Sequence, residues 1–409
     1  MKSPIIISFK RFDKEACEFV ERKGLGHPDT LADALAEELS AKYSCYTLEK
    51  YGAILHHNFD KLGILGGSSH VSFGKGFLTQ PIRILLNGRV SVSFGKEKIP
   101  VKKMLVKWAR EFFSKKLPLI NPEKDLDICY NISSQSSPGK TKEKGSKEGT
   151  RKYWFRPRNL DDVQELSKLS ANDTSLGVGY APPTKLERLI LKVEAGLNSS
   201  DFKKSNPWIG SDIKILGFRN KESYSITICI PQIANFVRNV GNYKKNLIKA
   251  EKKIFEIAKK QGVKKLDVNI NTRDNFETLE LYLTATGSSI ESGDEGLVGR
   301  GNRINGLISP MKPLSMEGAC GKNPVYHIGK VYYLVADIIA KKIHKKLNIP
   351  VEVYLASQSG RDLLEPWVIL LRVPHGFKDI EKLTRLVKHN INKIPNLTKK
   401  IIHQKILLY

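Results

Sequence analysis

Residues 213–230 read IKILGFRNKESYSITICI, and the fold follows from how this stretch alternates. Ile213, Ile215 and Gly217 share one side of an extended chain, with Leu216 and Phe218 on the other. After the polar turn Asn220-Lys221-Glu222, Tyr224, Ile226 and Ile228 resume the alternation. A period of two on both sides of a polar turn predicts two half-buried strands, Ile213 to Phe218 and Tyr224 to Ile230. Downstream, Leu247, Ala250, Ile254 and Ala258 follow helical spacing and predict a helix over Tyr243 to Gln261.

The same grammar continues outward. Leu266, Val268 and Ile270 predict a strand, as do Leu279, Leu281 and Leu283. Then come a helix near His327 to Leu347, strands near Val351 to Ser357 and Trp367 to Val373, and a helix over Ile380 to Ile391. Two strands followed by a helix is a unit that buries one sheet face under helices and leaves the other free. The expected class is therefore α/β (α+β), built of ββα-type units, because a parallel Rossmann sheet needs a crossover between successive strands. The divisions expected along the chain are 1–132, an N-terminal α/β unit; 133–160, a flexible basic insertion; 161–286, a central unit; 287–325, a glycine-rich loop; and 326–409, a C-terminal unit. The insertion rests on eight Lys/Arg against two acids between Gly139 and Arg158, with no apolar stripe.

Composition limits the partners. The 409 residues carry 68 Lys+Arg against 42 Asp+Glu, a net charge of +26 that favours anions such as nucleotides, polyphosphates or nucleic acid. The five cysteines form no CxxC pair, so neither a zinc ribbon nor a disulfide framework is indicated. The start shows no ordinary signal peptide, and no apolar run is long enough to span a bilayer, so a cytoplasmic protein with no membrane partner is expected.

Three segments carry candidate chemistry. Glu21-Arg22-Lys23-Gly24-Leu25-Gly26-His27-Pro28-Asp29-Thr30 leads into a helix whose first position suits Pro28 and whose buried stripe is Leu31, Leu35 and Leu39. Asp29 and Asp33 fall one turn apart on the opposite face and could together hold a hard divalent cation such as Mg²⁺. The helix dipole alone also favours an aspartate in a first turn. Next, His56 and His57 are adjacent on an extended segment, so they point apart and suit structural hydrogen bonds better than a shared metal. Asp60 and Lys61 sit where that segment ends. The third segment, Gly287 to Pro324, has eight glycines and no periodicity, a length that is usually functional or disordered. Its Gly299-Arg300-Gly301-Asn302-Arg303 offers two guanidinium groups on a backbone that can approach a ligand, and Lys322 precedes a helix start. Ser134-Gln135-Ser136-Ser137-Pro138-Gly139-Lys140-Thr141 nearly matches a phosphate-binding loop. It lacks the first glycine and leads into no helix, and is discounted.

Together these motifs resemble the archaeal-type S-adenosylmethionine synthetases (methionine adenosyltransferases). The likeness runs from Gly24-Leu25-Gly26-His27-Pro28-Asp29 through Ile54-Leu55-His56-His57-Asn58, then Ala171-Asn172-Asp173-Thr174-Ser175. It continues through Gly293-Asp294, Val298 to Ile308, Ser315-Met316-Glu317 and Gly321-Lys322-Asn323-Pro324. The resemblance implies three similar subdomains around a pseudo-threefold axis. Their flat sheets would meet a second subunit, with active sites at that homodimer interface. It also implies the reaction: the sulfur of L-methionine displaces the triphosphate of ATP from C5′, and the triphosphate is then hydrolysed to pyrophosphate and phosphate.

By position, His27 would contact the bridging-oxygen region of the leaving group and Asp29 would hold Mg²⁺. Arg300, Arg303 and Lys322 would hold phosphates, Asp294 the methionine ammonium, and Asp173 would line the nucleotide pocket. A K⁺ requirement is left open. Two departures stand out. Ser134, Gln135, Ser136, Ser137, Pro138 and Gly139 stand where the family usually has Gly-Gln-Gly-Ser-Met-Asp. Phe59 and Lys61 flank Asp60 where Thr and Gln are usual, so Lys61 is either a phosphate contact or a surface change. The altered nucleotide stretch motivates an alternative, a catalytically diverged member that binds nucleotide. A role in RNA binding through the basic insertion has no motif behind it.

Overall fold

The computed structural model describes residues 3–12, 15–135 and 151–409. In chain order its main elements begin with β1 (Ile5–Lys10), β2 (Cys17–Lys23), α1 (Pro28–Tyr51), β3 (Gly63–Leu65), β4 (Ile82–Val90), α2 (Val101–Lys116) and β5 (Leu126–Ser133). The middle of the chain supplies β6 (Leu176–Ala181), α3 (Lys185–Leu197), β7 (Lys214–Asn220), β8 (Ser223–Cys229), α4 (Val240–Lys260) and β9 (Leu266–Ile270). The last part supplies β10 (Gly296–Leu297), α5 (Ile328–Leu347), β11 (Val351–Ala356), β12 (Val368–Pro374) and α6 (Ile380–Ile391).

These build three mixed sheets, ordered β5-β4-β3-β10, β9-β8-β7-β2 and β1-β12-β11-β6. Each carries a pair of helices on one face. Leu31, Leu35 and Leu39 of α1 and Phe112 and Phe113 of α2 pack on Ile64, Ile82 and Ile84. Leu186 and Ile190 of α3 and Ala250 and Ile254 of α4 cover Ile215, Ile226 and Ile228. Tyr332 and Ile339 of α5 and Leu383 of α6 cover Val353, Leu355 and Leu371. At roughly 25 cal/mol per Å² of apolar surface, these layers supply most of the driving force for folding.

The expected class holds, but the sheets do not follow the expected divisions. Residues 1–132 do not form one unit. β1 lies parallel to β12 in the third sheet, with Ile5 opposite Ile369. β2 lies antiparallel to β7 in the second, with Lys23 opposite Lys214. Within 161–286, β6 pairs with β11 in the third sheet, and β10 from the glycine-rich loop pairs with β3 in the first. A sheet edge leaves backbone N–H and C=O groups unpaired, and segments distant in sequence satisfy them here.

Two further expectations change. Leu279 to Leu283 is not a strand: Leu279 has φ of 59°, Asn275 N donates to Glu280 O at 2.9 Å to close a turn, and only Leu283–Thr284 is extended. In the expected flexible insertion, residues 151–160 are partly built in. Phe155 is buried, and the Arg158 guanidinium holds Asp162 at 2.9 Å.

Candidate active site

The turn before α1 is shaped by close backbone packing. A Cβ on Gly26 would stand 2.7 Å from Ser211 Cβ and 2.8 Å from Asp212 N, so only glycine lets the turn lie against 211–212. Arg22 donates to Glu194 Oε2 of α3 at 2.7 Å in a buried pair, anchoring the approach. His27 then caps α1: its Nδ1 accepts the Asp29 N–H at 3.2 Å, and Pro28 opens the first turn as expected. An accepting Nδ1 leaves the proton on Nε2, so His27 presents an N–H. Burial, aided by Lys23 and Lys214, holds its pKa down to about 4, and Asp29 opposes this only in part. The ring is neutral at pH 7.

The far face of α1 is not open to solvent. Asp29, Asp33 and Glu37, spaced four apart, form a buried carboxylate stripe that the glycine-rich loop lies across. Leu297 N donates to Asp29 Oδ1 at 3.0 Å, Gly299 N to Asp33 Oδ1 at 2.8 Å, and Gly321 N to Glu37 Oε2 at 3.0 Å. The approach is tight, since a Cβ on Gly296 would stand 2.0 Å from Pro28 O. Lys23 Nζ bridges the two elements, at 2.7 Å from Asp29 Oδ2 and 2.7 Å from Arg300 O. Asn302 brackets the Lys23 backbone, accepting its N–H at 3.0 Å and donating to its carbonyl at 2.7 Å.

The two arginines divide. Arg303 spends its guanidinium on its own loop, donating to Gly299 O at 2.6 Å, Gly301 O at 2.7 Å and, more weakly, Ser315 O at 3.4 Å. Arg300 is exposed. Asp294 is exposed too, and accepts the Ser289 hydroxyl at 3.0 Å. Beside it, Asp212 is fully buried and burial raises its pKa to about 6.

Asp60, Lys61, Asp173 and Lys322 lie together in a cleft of ≈ 790 Å³ whose lining does not include His27, Asp29, Asp294, Arg300 or Arg303. Val298 N donates to Leu62 O at 3.2 Å, so the loop over α1 runs directly beside the Asp60-Lys61 turn. Lys322 is buried and its ammonium pairs with Glu317, with Asp60 Oδ2 at 3.9 Å. Lys61 reaches outward from the turn, 3.4 Å from Asp60 Oδ2. Asp173 is exposed and caps Thr174 N at 2.7 Å. His57 is structural, as expected: it meets Leu55 O at 2.9 Å and Ser40 Oγ at 2.8 Å.

The nucleotide stretch is reached only in part. Ser133 lines the cleft. Ser134 Oγ accepts Arg156 Nη2 at 3.1 Å, and Gln135 is exposed. Ser136, Ser137, Pro138 and Gly139 lie outside the described residues.

The profile of the S-adenosylmethionine synthetase (AdoMet synthetase) family matches residues 6–405. The chain belongs to this family. It is 37% identical over 412 residues to a probable S-adenosylmethionine synthase of Aquifex aeolicus, with 99% of each chain covered. It is 40% identical over 366 residues to the S-adenosylmethionine synthase of Caldivirga maquilingensis, covering 86% of this chain and 84% of that one. A solved S-adenosylmethionine synthetase from Campylobacter jejuni shares the fold at a TM-score of 0.58 and 13% identity, over 94% of this chain and 88% of that one. The family resemblance drawn from the motifs therefore holds, and these relatives support an enzyme of methionine adenosyltransferase type rather than a nucleotide- or RNA-binding relative.

Within this family site, the paired carboxylates do not fit the two-ligand cation site that their spacing suggested. Asp33 is turned into the loop, where Gly301 leaves no room for a Cβ beside its Oδ2. Burial raises its pKa to about 7 against the Gly299 amide and Arg303. Among the described residues no cluster of three or more His, Cys, Asp or Glu could hold a metal ion. Asp29 has both oxygens engaged, Oδ1 by Leu297 N at 3.0 Å and Oδ2 by Lys23 Nζ at 2.7 Å, so a cation there would take the place of the Lys23 ammonium.

Motif reading missed Lys23, Glu37, Glu317 and His327. Lys23 and Glu317 stand inside the quoted motifs and carried no separate signal. Glu37 was legible as the next step of the four-residue spacing from Asp29 and Asp33. His327 lines the cleft just ahead of α5.

Proposed function

We propose that the chain joins L-methionine to ATP as S-adenosylmethionine, with the thioether sulfur displacing the triphosphate from C5′, and that the expelled triphosphate is hydrolysed to pyrophosphate and phosphate. The observation that carries this reading is the glycine-rich loop laid across the start of α1 through Asp29–Leu297, Asp33–Gly299 and Lys23–Arg300. Those contacts set the backbone of the Arg300 region against the Gly26-His27-Pro28-Asp29 turn, which supports the two acting together.

A thioether needs no base to become a nucleophile. The site's work is therefore to align sulfur with C5′ and to stabilise charge on the departing phosphates. The Nε2–H of His27 donates to the leaving-group oxygen. Arg300 supplies an exposed guanidinium, and Lys61 and Lys322 supply ammonium groups from the cleft. Arg303 positions the loop instead of meeting phosphate. Asp294, beside the buried Asp212, receives the methionine ammonium, and Asp173 borders the nucleotide. Mg²⁺, held by Asp29 when bound, supplies countercharge to the triphosphate.

The exposed apolar side chains Ile6, Phe19 and Leu216 on the helix-free faces support a homodimer formed sheet to sheet, with the sites at its interface. All five cysteines are free, which suits a reducing compartment such as the cytoplasm. Among the described residues no helix is long and apolar enough to cross a membrane.

The test is direct. Purified protein given ATP, L-methionine and Mg²⁺ is expected to form S-adenosylmethionine, detected by mass spectrometry. Bound nucleotide with no product would overturn the reading in favour of the diverged binding protein.

A further inference from the structure

One buried group in the cleft has no task in the reaction as described. His327 is only 7% exposed and lines the cleft beside Lys61 and Lys322. Its backbone is fixed by the start of α5, with the carbonyl accepting Lys330 N at 3.0 Å and Val331 N at 2.9 Å. Its side chain makes no capping bond to that helix. Nδ1 is closed off from solvent and has no hydrogen-bond partner. A sealed Nδ1 cannot meet a ligand in the cleft, which leaves Nε2, not closed off in this way, as the ring nitrogen able to donate there.

The surroundings indicate what the partner would be. Burial comes first, followed by the ammonium groups of Lys322, Lys330 and Lys61, in holding the imidazole well below its ordinary pKa. The ring is therefore neutral and keeps one N–H to donate. Ahead of it opens the N-terminus of a 20-residue helix, whose backbone dipoles favour an anion. Ile328 N is already taken by Asn172 Oδ1 at 3.1 Å. Gly329 brings the backbone so close to the Lys322–Glu317 pair that a Cβ there would stand 2.7 Å from Lys322 Nζ. Lys322 lies between Glu317 and Asp60 and Lys61 Nζ stands 3.4 Å from Asp60 Oδ2, so both ammonium groups are gathered on this side of the cleft.

We propose that His327 is a phosphate-binding residue, its imidazole N–H donating to an oxyanion of a linked polyphosphate seated between the α5 N-terminus, Lys322 and Lys61. The identity of that polyphosphate, the triphosphate leaving group, rests on the synthetase reading. The contact itself rests on the buried ring and its cationic neighbours.

Inorganic tripolyphosphate is the probe, titrated calorimetrically into the full-length wild type and into His327→Phe, His327→Ala and His327→Asn. Phe keeps a planar ring and removes the donor; Asn keeps an amide donor. The expected result is a Kd about tenfold weaker for Phe and Ala, the loss of one hydrogen bond to a charged group, with Asn in between. A folded Phe or Ala variant, judged by its melting temperature without ligand, that binds as the wild type does would overturn the proposal. So would a folded Asn variant no better than Ala, or a wild type that does not bind tripolyphosphate. A purely packing role would lower melting temperatures and leave Kd alone. The product assay on wild type runs alongside. S-adenosylmethionine formed while Kd ignores His327 removes this contact and leaves the enzyme reading standing. His327-dependent binding without product removes the enzyme reading and leaves the contact.

Discussion

Arg300 and Arg303, three residues apart in one loop, do different work, and substitution separates them. Arg300→Ala is expected to lower kcat about 100-fold by removing charge stabilisation from the leaving group, with the melting temperature unchanged because the side chain is exposed. Arg303→Ala should lower both, since it abandons the carbonyls of Gly299 and Gly301. The stability cost should be about 1–3 kcal/mol, read from chemical denaturation. Asp33 carries a pH signature of its own. Its pKa rises from 3.8 to about 7, so between those values the folded chain keeps a proton that the unfolded chain has released. Stability attributable to Asp33 therefore falls as pH climbs through that window. Asp33→Asn retains an acceptor for Gly299 N and cannot ionise. Its denaturation free energy should lose that downward slope relative to wild type, a difference of up to about 4 kcal/mol across the window. The residue types at these positions were legible in sequence. Which arginine stays free was not, because that depends on where the loop's carbonyls point.

At the scale of elements, the decisive contact is a loop on a helix. α1 reads in sequence as an amphipathic helix with an apolar stripe and a polar far face, and the spacing of Asp29 and Asp33 predicts that face well. The face is nevertheless buried, because the loop's amides supply the hydrogen bonds that water would otherwise supply. Gly296→Ala tests this packing. Its Cβ would meet Pro28 O far inside contact distance, so the loop must lift from α1. Activity is expected to fall by more than tenfold, with a stability loss of about 1–3 kcal/mol measured by thermal or denaturant unfolding. Helices were the most readable elements: the expected range Ile380 to Ile391 is α6 itself, and that for α4 differs by three residues at its start. Leu279 to Leu283 failed because alternation records only which side chains face inward. A strand also needs a partner edge, and here a turn closes at Asn275 and Glu280 instead.

For the whole molecule, three sheets covered by helices on one face leave apolar side chains on the other, and a second copy is the expected cover. Leu216→Asp together with Phe19→Lys is predicted to shift the protein to monomer in light scattering, with activity lost in parallel if the sites span the interface. An unchanged dimer would exclude this face. Sequence by itself determined the family, the helices α1, α4, α5 and α6, the strands β7, β8, β9, β11 and β12, and the cationic, glycine-rich character of the site. Those properties are carried by local periodicity and by motifs that survive as contiguous text. Only the tertiary structure decided that β1 and β2 serve sheets completed hundreds of residues later, and that α1's carboxylates clamp a loop instead of framing a two-carboxylate metal site. It also decided that His327 faces a cleft with its Nδ1 unpaired. Edge pairing and the satisfaction of buried polar groups depend on which distant atoms come within about 3 Å of one another, and no local pattern encodes that distance.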